Sequence, residues 1–358
     1  MDKSSLIYVA GHTGLVGSAI CNALRNKGFN NVVTRTHREL ELMDRAAVKE
    51  FFDKENPGDV FLAAARVGGI MANNIYRADF IYDNLQIQQN IIGESFAHGV
   101  KKLLFLGSTC IYPKNSPQPI KEEYLLSGEL EYTNEPYAIA KIAGLKMCES
   151  FNLQYGTDYI AVMPTNLYGP NDNFDLDKSH VLPAMIRKIF LARCIKNGDY
   201  RTLLKDYNAR PYGDMGEVPE VLEIIEKLKD YGIYSSHVEL WGSGKPLREF
   251  LWSGDMAEAC VYIMQYVNSS DLCGDKKEIR NCHINIGTGK EISIHDLALV
   301  IARVIGYEGE IKFDNTKPDG TMRKLTDVSK LNGLGWRHTV ELDEGIGKLY
   351  EWYLDNLK

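Results

Sequence analysis

The chain has no Cys-x-x-Cys pair, no long apolar run and no surplus of positive charge, and each absence removes a class of function. Its seven cysteines are odd in number and scattered, which suggests neither a disulfide framework nor a zinc site. No apolar stretch approaches the ~18 residues a membrane span needs. The start, MDKSSLIYVAGHTG, has too short an apolar run for a secretory signal. A net charge of −7 offers no basic field to nucleic acid or to an anionic membrane. The remaining composition, 44% hydrophobic and 25% charged, is that of a soluble globular protein, read as cytoplasmic with free thiols. With 358 residues, two domains fit.

Glycine, by contrast, is placed with purpose. An apolar run over residues 6–10 leads into Gly11-His12-Thr13-Gly14-Leu15-Val16-Gly17, and an amphipathic stretch follows up to Gly28. Strand, glycine turn and helix in that order form the context of a dinucleotide-binding turn. Gly11 makes the tight turn, Gly14 lets a pyrophosphate approach the backbone, and Gly17 allows close helix–strand packing. Free N–H groups at the helix start then receive the phosphates. After a second short strand (31–34) no acidic residue stands where a ribose 2′-hydroxyl is read. Arg35 and Arg38 stand there instead and suit a 2′-phosphate, favouring NADP over NAD.

Apolar runs at 60–65, 102–107 and 159–163 read as further buried strands, with helical segments between them. This alternation predicts a doubly wound parallel α/β sheet. Ligands of such sheets lie beyond the carboxyl ends of the strands, which is where Ser108 and the run Pro164-Thr165-Asn166-Leu167 fall. Tyr137 and Lys141 stand four residues apart on a helical stretch and so share a face. An ammonium beside a phenol is expected to lower the phenol's pKa from about 10. With Ser108 they make a clamp for a carbonyl oxygen, Tyr137 delivering the proton.

The stretches AGHTGLVGSAI, AAARVGGIMANN, KKLLFLGSTCIYPK, NEPYAIAKIAGLKMCES, MPTNLYGPNDNF, SHVLPAMIRK, ELWGSGKPLREFL, HINIGTG and KPDGTMRKL resemble the extended short-chain dehydrogenase/reductase family. They are most similar to its members acting on GDP-4-keto-6-deoxy sugars. The resemblance implies a Rossmann-type domain over 1–168, with later returns near 238–265 and 283–295. The rest, 169–358, is mainly a smaller, sequence-discontinuous α/β substrate domain. It implies NADPH-dependent 3,5-epimerisation and C4 reduction of GDP-4-keto-6-deoxy-D-mannose to GDP-L-fucose by a homodimer. Ser108, Tyr137 and Lys141 match the reductase triad, Cys110 the base and His180 the acid of the epimerisations. Leu106, Gly107, residues 164–167 and His180 join the glycine turn around the cofactor. Lys188, Trp241, Arg248, Asp319 and Lys324 match substrate-handling positions. Two departures are visible. Lys188 stands for an arginine and loses its bidentate fork, and His37 stands for the arginine that holds the 2′-phosphate.

Between Phe190 and Val238 the chain leaves the family pattern by roughly forty residues, near 194–236. Residues 217–231 read as an amphipathic helix, with Gly232 after its end. The insertion is a surface embellishment or a change in the substrate pocket. It resembles insertions in enzymes of GDP-6-deoxy-4-keto-heptoses, so a heptose substrate in capsule biosynthesis is the alternative. A non-catalytic NADP-binding protein is a remote third reading, disfavoured because Ser108, Tyr137 and Lys141 are all present.

Overall fold

The computed structural model describes residues 1–213, 219–273, 279–317 and 319–357, and the chain divides into two compact units. The first unit comprises Met1–Leu167, Glu249–Lys290 and Leu325–Thr339. Its strands β1 (Ile7–Ala10), β2 (Val32–Val33), β3 (Asp59–Leu62), β4 (Lys102–Leu106) and β5 (Asp158–Pro164) alternate with α1 (Leu15–Asn26), α2 (Arg45–Glu55), α3 (Ile70–Ile75), α4 (Arg77–Ala97) and α5 (Glu135–Tyr155). β6 (Asn166–Tyr168) follows, at the end of the unit's first segment. The second unit comprises Tyr168–Arg248, Glu291–Lys324 and Val340–Lys358. It holds α6 (Val181–Lys196), α7 (Tyr200–Ala209), α8 (Val221–Lys229), β7 (His237–Trp241) and β8 (Leu247–Arg248). The chain then returns to the first unit with β9 (Phe250–Trp252), α9 (Ser253–Tyr266) and β10 (Ile284–Ile286). It crosses again for β11 (Ile292–Ser293), α10 (Ile294–Ile305), β12 (Glu310–Asp314) and β13 (Arg323–Lys324), and ends with α11 (Ser329–Gly333) in the first unit and α12 (Leu342–Asp355) in the second.

The six-stranded sheet runs β10-β5-β4-β3-β1-β2 and every pairing is parallel. This is the expected doubly wound α/β architecture. Strands buried on both faces need apolar residues at every position, and alternate side chains feed opposite layers. Ile7, Val9, Phe61, Leu104, Ile160 and Ile284 pack with α1 and α9. Tyr8, Ala10, Val60, Leu103 and Tyr159 pack with α2, α4 and α5. At roughly 25 cal/mol per Å² of apolar surface these two layers supply most of the unit's stability. The chain order reverses between β1 and β3, so the crevice for a ligand opens at their carboxyl ends.

Of the expected returns near 238–265 and 283–295, residues 249–265 and 283–290 fall in the first unit, and 238–248 and 291–295 do not. β7 pairs with β12 across Val238↔Ile311 and Leu240↔Phe313, and β11 pairs with β8 in the sheet β11-β8-β13. These pairings keep 238–248 and 292–293 in the second unit. The return at Leu325–Thr339 is anchored instead by the backbone bond from Ile120 to Leu325 (2.7 Å). A return so short leaves no periodicity to read.

In the insertion the expected helix appears as α8, opened by a Glu220/Glu223 capping box. Its first expected residues, Glu217 and Val218, lie outside the described residues. α7, not foreseen, starts where the Asp199 side chain accepts the Thr202 N–H (3.2 Å). Among the described residues no helix is long and apolar enough to cross a membrane.

Candidate active site

Gly11 sits at φ +88°, and a Cβ there would meet the Ala64 backbone nitrogen at 2.7 Å, so the turn after β1 presses on the segment after β3. A Cβ on Gly17 would lie 2.0 Å from the Gly11 carbonyl oxygen, so α1 packs against the turn itself. Gly14 differs. It caps α1 without a side-chain bond, and a Cβ there meets only the Gly11 oxygen at 3.6 Å. The α1 N-terminus is therefore an open cradle that fits a pyrophosphate. His12, Thr13, Leu15 and Val16 line this turn in sequence. Arg35 has other commitments: it donates to Glu55 (2.5 Å) and to the Thr34 carbonyl (2.7 Å), over the Phe51 ring. His37 is exposed and pairs with Glu41 at 3.2 Å, and Arg38 is exposed. Of the expected phosphate holders, Arg38 keeps the freest reach.

Ser108 begins a short turn of 3₁₀ helix just after β4, and its Oγ accepts the Cys110 N–H at 3.3 Å. Cys110 is buried in that turn. Lys141, 3% exposed on α5, donates to the Leu106 carbonyl at 2.8 Å and lies over the Phe105 and Tyr137 rings at 4.8 and 5.7 Å. The structure thus brings Ser108, Cys110, Tyr137 and Lys141 together in the first unit, beside Leu106 and Gly107. Gly107 has no room for a Cβ, which would strike Met163 Sδ at 2.3 Å.

The expected lowering of the Tyr137 pKa is overturned. Burial pushes the phenol well up, and the charge Cys110 can carry pushes the same way. Burial pulls Lys141 down to about 8, with Cys110 acting in the opposite sense. The lysine spends a proton on a carbonyl rather than on the phenol, so desolvation wins. Tyr137 is held as a neutral acid.

His180, Lys188, Trp241, Arg248, Asp319 and Lys324 lie in the second unit. His180, an exposed residue, caps α6 without a side-chain bond, and desolvation lowers its pKa. Lys188, buried on α6, is pulled down to about 8 by burial, an effect opposed by Glu239 and Asp177. Trp241 is 59% exposed with the Lys317 ammonium 5.6 Å above its ring. Arg248 and Lys324 face each other in register across β8 and β13. Asp319 spends its carboxylate on the Ser243 N–H (2.6 Å) and hydroxyl (2.8 Å), which makes it a support for the turn after Trp241. Pro164, Thr165, Asn166 and Leu167 close the first unit's first segment, Asn166 donating to the Glu249 carbonyl at 2.8 Å.

Two supports went unread in the sequence. Asn285 gives its amide to the carbonyls of Ile120 (3.0 Å) and Asp327 (3.3 Å), which leaves its oxygen to accept Tyr112 Oη–H at 2.5 Å. Tyr112 then accepts from His283 Nε2 at 2.8 Å, which fixes that tautomer and pins the end of the Cys110 turn. The second is Glu249, a fully buried carboxylate that holds the Gly287–Gly289 turn and Thr326. The one available signal was an acid inside the apolar run LREFLW.

The sequence pattern of the NAD dependent epimerase/dehydratase family matches residues 7–218 and 208–287. GDP-L-fucose synthase 1 of Arabidopsis thaliana is 48% identical over 356 residues, covering 99% of this chain and 95% of that protein. A GDP-D-glycero-L-gluco-heptose synthase from Campylobacter jejuni, solved in the presence of NADPH, superposes with a TM-score of 0.91 at 45% identity over 99% of both chains. A GDP-6-OMe-4-keto-L-xylo-heptose reductase from C. jejuni gives 0.92 at 46% identity, over 99% of this chain and 98% of that one. Matched over more than half its length, with its glycine turn at the sheet's switch point, the chain belongs to the NAD dependent epimerase/dehydratase family.

Proposed function

We propose that the chain is an NADP(H)-dependent enzyme that reduces C4 of a GDP-4-keto-6-deoxy sugar, with epimerisation beside the ketone. The observation that carries this reading is the grouping of Ser108, Cys110, Tyr137 and Lys141 next to Leu106 and Gly107. When bound, the cofactor would supply the hydride, with Gly11–Gly17 the residues that would hold its pyrophosphate and Lys141 one that would hold its ribose. Ser108 and Tyr137 donate hydrogen bonds to the ketone oxygen, and Tyr137 gives up its proton as that oxygen gains charge. Carbon acids flanking the ketone are the ones Cys110, coupled electrostatically to Lys141, takes protons from. His180 is the returning acid. Lys188, Arg248 and Lys324 supply charge for a diphosphate and Trp241 a face for stacking.

For the sugar, a heptose is the reading favoured by shape. A TM-score of 0.91 over 99% of both chains leaves little room for an unmatched insertion of about forty residues. The hexose remains the second reading, favoured by 48% identity to a fucose synthase. The test is NADPH oxidation with GDP-4-keto-6-deoxymannose and with its heptose analogue, products identified by NMR. Faster turnover of the heptose supports the first reading, and a faster hexose reaction yielding fucose replaces it with the second. No NADPH oxidation with either removes both. In deuterated solvent, Cys110→Ala should stop label entering the carbons beside the ketone; undiminished exchange would mean another base.

Burial-lowered Lys188 gives a pH signature. Its charged fraction falls from roughly 90% at pH 7 to about 10% at pH 9 for a pKa of about 8. KM for the GDP sugar should therefore rise several-fold across that range, and Lys188→Arg should flatten the rise; an equal slope in the variant assigns it elsewhere. Both helices α4 and α5 carry exposed large apolar residues, among them Tyr82, Phe96, Leu153 and Tyr155, which supports a homodimer through them.

A further inference from the structure

The insertion reaches the loop that carries His180 from two directions. On α7, Asp206 is fully buried and accepts from Arg187 Nε (3.1 Å) and Nη2 (2.8 Å) of α6, with Tyr353 of α12 donating to its other oxygen. Arg187, 1% exposed, uses Nη1 to hold the Phe174 carbonyl at 3.0 Å and Nη2 to hold that of Arg210, which follows α7. Phe174 stands midway along the loop, residues 169–180, that ends at His180. Farther along that loop, Tyr231, just after α8, donates its hydroxyl to Asp177 Oδ2 at 3.1 Å.

Inside, the loop closes on itself. Asp175 Oδ1 accepts the N–H groups of Asp177 and Lys178 at 2.9 Å each, and the Asp175 carbonyl accepts Ser179 N–H at 3.1 Å. The loop, residues 169–180, is tied at its ends by β6 and α6, and a local turn in its middle still needs anchors of its own to be fixed in space. Burying the Arg187–Asp206 pair costs desolvation that is recovered only through full hydrogen bonding. Here the carboxylate and the fork are both heavily bonded, and one prong lands on the loop.

We propose that the insertion is the brace of the His180 loop, with Asp206, acting through Arg187, and Tyr231 as positioning residues for that histidine. The inference rests on the reading above for His180's role as acid, and extends it to residues that touch no reacting atom. A relative without the insertion would need another means of fixing Phe174 and Asp177.

The test is hydrogen–deuterium exchange of the full-length protein in Tyr231→Phe and Asp206→Asn, read together with solvent-label incorporation at the carbons beside the ketone. Tyr231→Phe removes one hydrogen bond at the surface, so it should fold. The expected result is faster exchange of the amides at 174–181, by about three- to fivefold for one lost bond, with α9 and α10 unchanged. Label incorporation should fall with kcat while KM stays within twofold. Asp206→Asn should raise loop exchange further. Unchanged loop exchange in both variants overturns the brace, and so does a rise spread evenly over the second unit. If the parent protein turns over neither sugar, the functional reading fails while the exchange result still decides the brace.

Discussion

Tyr137→Phe is expected to lower NADPH-dependent turnover by about 10²- to 10⁴-fold, the usual worth of a positioned proton donor. The phenol is held neutral by burial, so near pH 7 it carries the proton that a ketone oxygen needs on becoming an alkoxide. Phenylalanine keeps the ring and its edge contact with Phe80 at 6.3 Å, so packing is retained and the hydroxyl alone is lost. Single-turnover loss of NADPH absorbance measures the effect, and circular dichroism checks that the fold is kept. Turnover within threefold of the parent would remove Tyr137 from the reaction.

Glu249→Gln is expected to destabilise the first unit by about 3 kcal/mol, although the two side chains have the same shape. One carboxylate oxygen accepts the N–H groups of Thr288 (2.6 Å) and Gly289 (2.7 Å), and the other accepts the N–H (2.9 Å) and hydroxyl (2.6 Å) of Thr326. An amide must turn its NH₂ toward one of these donor pairs. Either orientation leaves buried donors facing each other. The Gly287–Gly289 turn has no slack, because a Cβ on Gly287 would already lie 2.3 Å from the Glu249 oxygen. A midpoint drop of roughly 6–12 °C in thermal unfolding is the expected reading. A change under 1 °C would mean that the carboxylate is dispensable to the turn.

The parallel sheet was legible because strands buried on both faces write continuous apolar runs, as at Ile7–Ala10 and residues 60–62. The glycine turn was legible because three backbone requirements fall at fixed spacing. The sign of the Tyr137 shift was not, since it is set by burial of the phenol in the folded site, which the local sequence around Tyr137 does not spell out. Asp206, Glu249 and His283 were missed for a related reason. A buried polar residue signals itself only through its partners, and theirs are remote: Arg187 and Tyr353, Thr288 and Thr326, Tyr112. The reach of Arg35 was read too generously, because Glu55, which holds it, lies on the next helix.

The edge strand β10 is translated about 120 residues after its neighbour β5, since the chain builds much of the second unit in between. At the ~5–20 residues per second of synthesis, β5 waits on the order of ten seconds with one row of backbone donors and acceptors open. Nascent chains stalled between Arg248 and Ile284 therefore carry a naked, largely apolar sheet edge, and the ribosome-bound intermediate is a form of this protein exposed to mispairing with its own copies.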